Sequence, residues 1–203
     1  MSKKDIFTKR NINLNGKPAI FYGDISRKYD CFAQEVINRI DDEAYERAIK
    51  IEKGQILVNL EDFDDKEIGR CVLYQNDIPA AINGNVLLLT LKDSFKDIID
   101  LRYIAFLINY KDTIRNYIYQ KSAGEKVKRL KKIDFENILI IIPTLEVQKQ
   151  TVDKFINLKI KFEKDIEEIE NRIKLIDGYS KGYNERALNF KKYSVGDKEI
   201  SDK

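Results

Sequence analysis

The densest group of charged side chains lies between residues 121 and 132, in the segment KSAGEKVKRLKK. Six basic residues there face one acid, Glu125, so the segment carries a net charge of +5 while the whole chain carries +3. Its basic residues are Lys121, Lys126, Lys128, Arg129, Lys131 and Lys132. Such a cluster creates a local positive potential that attracts anionic partners. A hydrated lysine-rich loop is the alternative interpretation, and the sequence supports both about equally.

Residues suited to catalysis are scarce in this chain. It has no histidine, which removes the commonest general base and the commonest zinc ligand. It also has no glycine-rich phosphate loop and no nucleophile elbow. The acidic segment 61–65 could bind Mg²⁺ in a nuclease, but an exposed acidic loop is the favoured interpretation. The sequence therefore predicts a non-catalytic protein with no catalytic residues, no metal and no cofactor.

The cysteines and the hydropathy pattern indicate the compartment. Cys31 and Cys71 lie far apart without metal-ligand spacing, which is typical of reduced core residues. No apolar run is long enough to span a membrane, and the Met-Ser-Lys-Lys start does not resemble a signal peptide. We expect a cytoplasmic protein that does not bind membranes.

A long helix is predicted after Pro143. Proline is excluded from helix interiors, Thr144 can cap the first turn, and Gly178 is the first plausible end. Hydrophobic residues then recur every three or four positions, which is the heptad pattern of a coiled coil. The predicted dimer seam consists of Val152, Phe155, Phe162, Ile166, Ile169, Ile173 and Ile176. No other heptad run occurs in the sequence, so the partner helix must come from another chain.

The segments before this helix predict an α+β fold, with one mixed α/β domain. The expected strands lie at 18–25, on both sides of Lys53-Gly54 within 49–60, and at 68–74, 78–82, 86–91 and 138–142. The expected helices lie at 41–49 and 96–119. Residues 1–17 and 61–67 are predicted to be irregular and solvated, and Asn83-Gly84-Asn85 is predicted to turn a hairpin. The chain thus divides into a domain at 1–143, a long helix at 144–190 and a flexible tail at 191–203.

The order of these features resembles the specificity subunits of type I restriction-modification systems. The matching segments are FYGDI at 21–25, KIEKGQILVNL at 50–60 with IGRCVLY at 68–74, SAG at 122–124, IIIPTLEVQKQTV at 140–152 and KGYNERAL at 181–188. The spacing of Pro143, Leu145, Gln148 and Val152 before a heptad helix is the most specific of them. Two positions depart from the family pattern, because Val147 replaces an acid and Gln55 stands where Asp is more frequent.

The resemblance implies a target recognition domain that reads double-stranded DNA, while methyltransferase and restriction subunits supply the catalysis. The six basic residues of segment 121–132 are then expected to contact phosphates. The residues expected to read base edges are Arg27, Lys28, Tyr29, Asn83 and Asn85. For Asn83 the favoured alternative is that it only forms the turn with Gly84.

Typical members of the family carry two recognition domains and two conserved helices, whereas this sequence has one of each. The resemblance therefore implies a half-subunit that forms a homodimer through antiparallel helices and reads an interrupted palindrome. A coiled-coil assembly or adaptor protein that does not bind nucleic acid is the alternative, because the seam is strong and the net charge is only +3.

Overall fold

The computed structural model describes residues 7–64 and 66–196, without the side chains of Ser180 and residues 182–196. The chain divides into two units between Val152 and Asp153. The first unit contains all the strands and the short helices, and the second contains most of one long helix. The predicted class, a mixed α/β arrangement followed by a long C-terminal helix, is confirmed.

The first sheet has four strands in the order β3-β1-β8-β4. They are β1 (Ile12–Ile20), β3 (Asn38–Ile40), β4 (Ile49–Ile51) and β8 (Ala80–Ile82). Strand β1 runs antiparallel to β3 and parallel to β8. Gly16 allows β3 to approach closely, since a Cβ there would lie 1.9 Å from the carbonyl oxygen of Ile40. The sheet therefore starts earlier than predicted, inside the segment expected to be irregular.

The second sheet has the order β2-β7-β5-β9. Its strands are β2 (Phe32–Ala33), β5 (Gln55–Asn59), β7 (Cys71–Tyr74) and β9 (Val86–Thr90). Strand β5 is antiparallel to both β7 and β9, and β2 is parallel to β7. Two further short strands, β6 (Glu61–Asp62) and β10 (Lys128–Arg129), form an antiparallel ribbon.

Apolar residues from both sheets share one core. Ile20 and Ile82 of the first sheet cluster with Leu57, Val72 and Tyr74 of the second, and all are almost completely buried. Ala19 and Ala81 belong instead to a smaller cluster with Phe7, Ile40, Ala44 and Ala48. The alternation follows from the period of two in a strand. Each fully buried Leu or Ile stabilises the fold by about 1.5–3 kcal/mol.

The first two helices are short, and side-chain hydrogen bonds mark where each begins. Helix α1 (Tyr22–Arg27) follows β1 directly, where a strand had been predicted to continue to residue 25. The carboxylate of Asp24 folds back to accept a hydrogen bond from the Phe21 amide at 2.8 Å. Helix α2 (Asp42–Arg47) is capped by Asp41, which accepts from the Ala44 amide at 2.7 Å. The predicted helical turn at 41–49 is thus confirmed.

The prediction of a single helix at 96–119 is wrong, because two helices occupy this region. They are α3 (Leu101–Tyr110) and α4 (Asp112–Lys121), and Lys111 between them has an extended backbone. Each helix is anchored differently. Asn109 of α3 bonds both backbone groups of Cys71, whereas Ile118 of α4 packs where a Cβ on Gly69 would stand. Each helix is thus held by its own tertiary contacts, and the apolar pattern of the segment did not indicate the break at Lys111.

The hairpin predicted at residues 83–85 is also wrong, although the chain does turn there. Strand β8 pairs with β1 and β4, while β9 pairs with β5 in the other sheet. Gly84 has a φ of +94°, which favours glycine, and a Cβ there would lie 2.7 Å from the Cβ of Tyr22. The Asn-Gly signal predicted the turn correctly, but it could not specify which strands pair afterwards.

The last buried strand predicted at 138–142 is not a strand. This segment has no regular secondary structure, and Leu139 and Ile141 are 93% and 87% exposed. It follows helix α5 (Lys132–Glu136), and it pairs with no strand among the described residues. A short apolar run predicts burial only if the fold provides a neighbouring strand.

The long helix α6 spans Leu145–Gly196, or about 78 Å at 1.5 Å per residue. It begins where predicted but does not end at Gly178, since an interior glycine costs only about 1 kcal/mol and the helix continues through it. Ion pairs at i,i+4, such as Arg172–Glu168, support its exposed faces. Residues 191–196 of the predicted tail belong to α6, and 197–203 lie outside the described residues.

The seam residues of α6 differ in exposure. Val152 is buried and Phe155 is half-buried, whereas Phe162, Ile166, Ile169, Ile173 and Ile176 are 52–66% exposed. The pairing of this seam with a second helix stays a prediction.

Within the described part of the chain, no helix combines the length and apolar character that a membrane span requires.

Candidate nucleic-acid interface

The ribbon of β6 and β10 organises the basic segment. Lys128 lies opposite Asp62, and Arg129 lies opposite Glu61. The loop before β10 closes on itself, because Ala123 and Arg129 exchange backbone hydrogen bonds of 3.0 and 2.8 Å. Gly124 permits this closure, since its φ is +126° and a Cβ there would lie 2.1 Å from the carbonyl oxygen of Val127. The centre of the basic segment is therefore an ordered ribbon and not merely a hydrated loop.

Glu61 holds two of the predicted DNA-contacting residues. The Nε and Nη2 atoms of Arg129 lie 3.2 and 3.4 Å from the two carboxylate oxygens of Glu61. The side-chain amide of Asn85 also donates to Glu61, at 3.5 Å. A residue predicted to contact phosphate and one predicted to read a base thus share one carboxylate.

Asp62 beside it is fully buried and fixes the ribbon to α1. Its carboxylate accepts hydrogen bonds from Ser26 Oγ at 3.1 Å and from Asn59 Nδ2 at 2.8 Å. It also forms an ion pair with Arg27 Nη2 at 3.3 Å and accepts from the Asp64 amide. Arg27 keeps more than half of its side chain exposed. The expectation of a fully solvated acidic loop at 61–67 is thus wrong at this residue.

Lys28 and Tyr29 follow Arg27 and have separate partners. The Lys28 ammonium lies 3.0 Å from Asp24 Oδ1 and 3.3 Å from Asn38 Oδ1. The Tyr29 hydroxyl accepts a hydrogen bond from the Ile37 amide, and burial raises its pKa. Arg27 and Lys28 line two neighbouring clefts, of about 590 and 340 Å³. The larger cleft is lined by aromatic residues, and the smaller one by Arg70 and Glu67 among others.

Asn83 and Asn85 have different environments. Asn83 is buried, its side-chain amide donates to the carbonyl oxygen of Phe7 at 2.5 Å, and its Oδ1 accepts from the Tyr22 amide. These bonds favour the alternative in which Asn83 shapes the turn. Asn85 is exposed, and among the bonds described its side chain makes only the long one to Glu61.

The remaining basic residues flank β10 in the sequence and occupy exposed positions. Lys121 lies over the ring of Tyr117, with 5.8 Å between its nitrogen and the ring centroid. Lys132 pairs with Glu136 at 3.4 Å, and Lys126 and Lys131 are exposed. All six basic residues of segment 121–132 thus keep side chains at or near the surface, with Lys128 half-buried.

Sequence reasoning missed the two acids of β6 and a pair of arginines. Arg70 donates to the carbonyl oxygen of Asn109, and Arg115 donates to those of Lys66 and Ile68. Burial, followed by the nearby charge of Arg70, lowers the pKa of Arg115 to about 10. No local pattern predicts these contacts, because they join segments 39 to 49 residues apart.

In the part of the chain that the structure describes, no group of three or more acidic, cysteine or histidine side chains could hold a metal ion.

Comparisons with known proteins give one family match and a similar solved chain. The family model described as the type I restriction-modification DNA specificity domain matches residues 1–174. One similar solved chain comes from a study titled as the structural basis of complex assembly and conformational transition of the type I R-M system. It is 16% identical, the match covers 76% of this chain and 34% of that chain, and the TM-score is 0.48. This chain thus spans about a third of that solved chain, and a search of curated proteins gives no significant match. The family match covers most of the chain, and the chain therefore belongs to the type I restriction-modification DNA specificity domains.

Proposed function

We propose that this chain reads a DNA sequence within a type I restriction-modification system and positions methyltransferase and restriction subunits there. The observation that carries the proposal is the convergence of Arg27, Asn85, Lys128 and Arg129 around the two acids of β6. These residues come from three distant parts of a chain in this family.

The ribbon supports base reading by its type of structure. A two-stranded antiparallel ribbon fits the major groove of B-DNA, which is about 12 Å wide. Arg27 and Asn85 beside it can each make bidentate contacts, to guanine and adenine respectively, worth about 1–3 kcal/mol of discrimination. Arg27 at the end of α1 contacts the ribbon through Asp62, and Lys28 and Tyr29 follow it in the sequence. Asn83 contributes by holding the turn that presents Asn85.

Phosphate contacts supply the sequence-independent part of the binding. Lys121, Lys126, Lys131 and Lys132 are exposed and flank β10 in the sequence, and Lys128 lies within the ribbon. Each such contact releases counterions from the duplex, so the affinity falls steeply with salt. We assign residues 1–143 to DNA recognition and 144–190 to dimerisation and docking of the partner subunits.

Two copies of the chain would join through their long helices. The five seam residues from Phe162 to Ile176 are half exposed in a single chain, and burial against a second helix would remove them from water. An antiparallel pair would give two recognition domains related by a two-fold axis, and such a dimer reads an interrupted palindrome.

The alternative is a coiled-coil adaptor that does not bind nucleic acid, and the exposed seam alone would favour it. An electrophoretic shift assay with a labelled DNA duplex separates the two functions. We expect a shifted band that is lost as the salt concentration rises, without cleavage of the duplex. The absence of any shift, both alone and with a methyltransferase subunit recovered by pull-down, would favour the adaptor.

A further inference from the structure

Glu61 carries an inference that rests on the proposed function and deepens it. We propose that Glu61 is a specificity-determining residue that competes with DNA for Arg129 and Asn85. In the free protein it occupies the donors that would otherwise bind any phosphate nearby. Only a DNA site that offers these donors an equivalent acceptor replaces it without loss.

The geometry of the Glu61–Arg129 contact supports this competition. Two nitrogens of one guanidinium face the two oxygens of one carboxylate, at 3.2 and 3.4 Å. Phosphate oxygens and the O6 and N7 atoms of guanine accept from the same fork of donors. Glu61 and a DNA acceptor therefore cannot both bind this face of Arg129.

The exposure of the two side chains indicates which of them moves. The Arg129 side chain is 63% exposed, whereas that of Glu61 is only 30% exposed. Glu61 is also held by cross-strand pairing in the ribbon, and the Glu61 amide donates to Asn59 Oδ1 at 3.2 Å. Arg129 can therefore turn away towards DNA, while the carboxylate stays beside the duplex and repels its phosphates.

Asp62 shows by contrast why Glu61 is the competing residue. Asp62 is fully buried and accepts from Ser26, Arg27, Asn59 and Asp64, so no single change of partner releases it. Among the described residues, the Glu61 carboxylate binds the side chains of Arg129 and Asn85, which are both exposed. A ligand at the surface can therefore exchange with Glu61 and not with Asp62.

The test compares Glu61→Gln with the unmodified chain, each in complex with its methyltransferase subunit. The probe is a labelled duplex of mixed sequence, and binding is measured by fluorescence anisotropy. A surface ion pair and its carboxylate contribute on the order of 1 kcal/mol, so Glu61→Gln should tighten binding to this probe about fivefold. Affinity for a selected site should change less, so the ratio of specific to non-specific affinity should fall.

The matched control is Glu43→Gln. Glu43 forms a similar exposed ion pair, with Arg47 Nη1 at 3.0 Å, and lies on α2. Its substitution removes the same charge without touching Arg129. If both variants tighten binding equally, the effect is one of net charge and the inference is overturned. Unchanged or weaker binding by Glu61→Gln would also overturn it.

A measurement without DNA separates this inference from the proposed function. In an NMR spectrum of the Arg129 Nε–H group, Glu61→Gln should abolish the shift that marks the carboxylate contact. Glu61→Asp, which shortens the side chain but keeps the charge, provides a second variant if Gln impairs folding. It should tighten binding to the mixed duplex less than Gln does, and no tightening would count against the inference. A chain that shows the Arg129 contact but binds no duplex would refute the proposed function instead.

Discussion

Gln148, in the first turn of α6, accepts a hydrogen bond from the backbone nitrogen of Asp100 at 2.9 Å. Its side-chain nitrogen donates to the carbonyl oxygens of Ile98 and Pro143, at 2.8 Å each. Gln148 is fully buried, so these three bonds satisfy both ends of its amide away from water. The glutamine thus ties the start of α6 to the segment that precedes α3.

Replacing Gln148 by Leu should lower the free energy of unfolding by about 3 kcal/mol, because the three hydrogen bonds between this buried side chain and the backbone are lost. Urea unfolding followed by circular dichroism measures the change. Gln150→Ala is the control, since Gln150 bonds only the exposed Glu146 side chain on the same helix. If Gln148→Leu lowers the free energy of unfolding no more than the control does, the side-chain hydrogen bonds of Gln148 do not stabilise the start of α6.

The seam of α6 gives a prediction about assembly. Asp at both 166 and 169 would place charges where a second helix is expected to pack, and the dimer should dissociate. Light scattering at micromolar protein should give a dimer mass for the unmodified chain and half that mass for Ile166→Asp with Ile169→Asp. Valine at the same two positions should keep the dimer. A monomer for the unmodified chain would contradict the prediction, unless a methyltransferase subunit supplies the second helix.

The basic ribbon gives a prediction about salt dependence. Lys128→Ala with Arg129→Ala should weaken binding to all duplexes by similar factors. It should also flatten the slope of log affinity against log salt by roughly one unit per lost contact. The control is Lys53→Ala. It removes a basic side chain that pairs with Asp77 and precedes the start of β5. An unchanged slope in the double variant would show that Lys128 and Arg129 do not contact phosphates.

Asn85 and Asn83 should respond differently to replacement by alanine. Asn85→Ala should relax the preference at one position of each half-site, with little effect on stability, because its side chain is exposed. Asn83→Ala should instead lower the free energy of unfolding by about 2 kcal/mol, since the two hydrogen bonds of this buried side chain are lost. Thermal unfolding and binding to single-base variants of the site measure the two effects. Equal losses of stability would contradict this division of roles.

The sequence predicted most of the elements but few of their pairings. Turn signals at Lys53-Gly54 and at Gly84 correspond to real turns, and the Pro143–Gln148 spacing correctly marked the start of α6. The hairpin after Asn83 was wrong because β8 and β9 find partners in different sheets. The exposed segment at 138–142 and the break at Lys111 likewise depend on neighbours that are distant in sequence.

The candidate site shows the same limit. The basic segment 121–132 and Arg27 were identified from charge and from the family resemblance. Glu61 and Asp62 were not, because an acidic run ordinarily indicates a solvated loop. Only the pairing of β6 with β10, which joins residues more than sixty positions apart, places these acids against the arginines.

The most direct test of the whole account is the selection of DNA sites from a random pool by the chain in complex with its methyltransferase subunit. Sequencing of the bound duplexes should reveal an interrupted palindrome with a fixed spacer, because two identical domains related by a two-fold axis read identical half-sites in opposite orientations. Affinity for the selected site should fall steeply with salt. A selected site without inverted symmetry, or an affinity that does not depend on salt, would contradict the account.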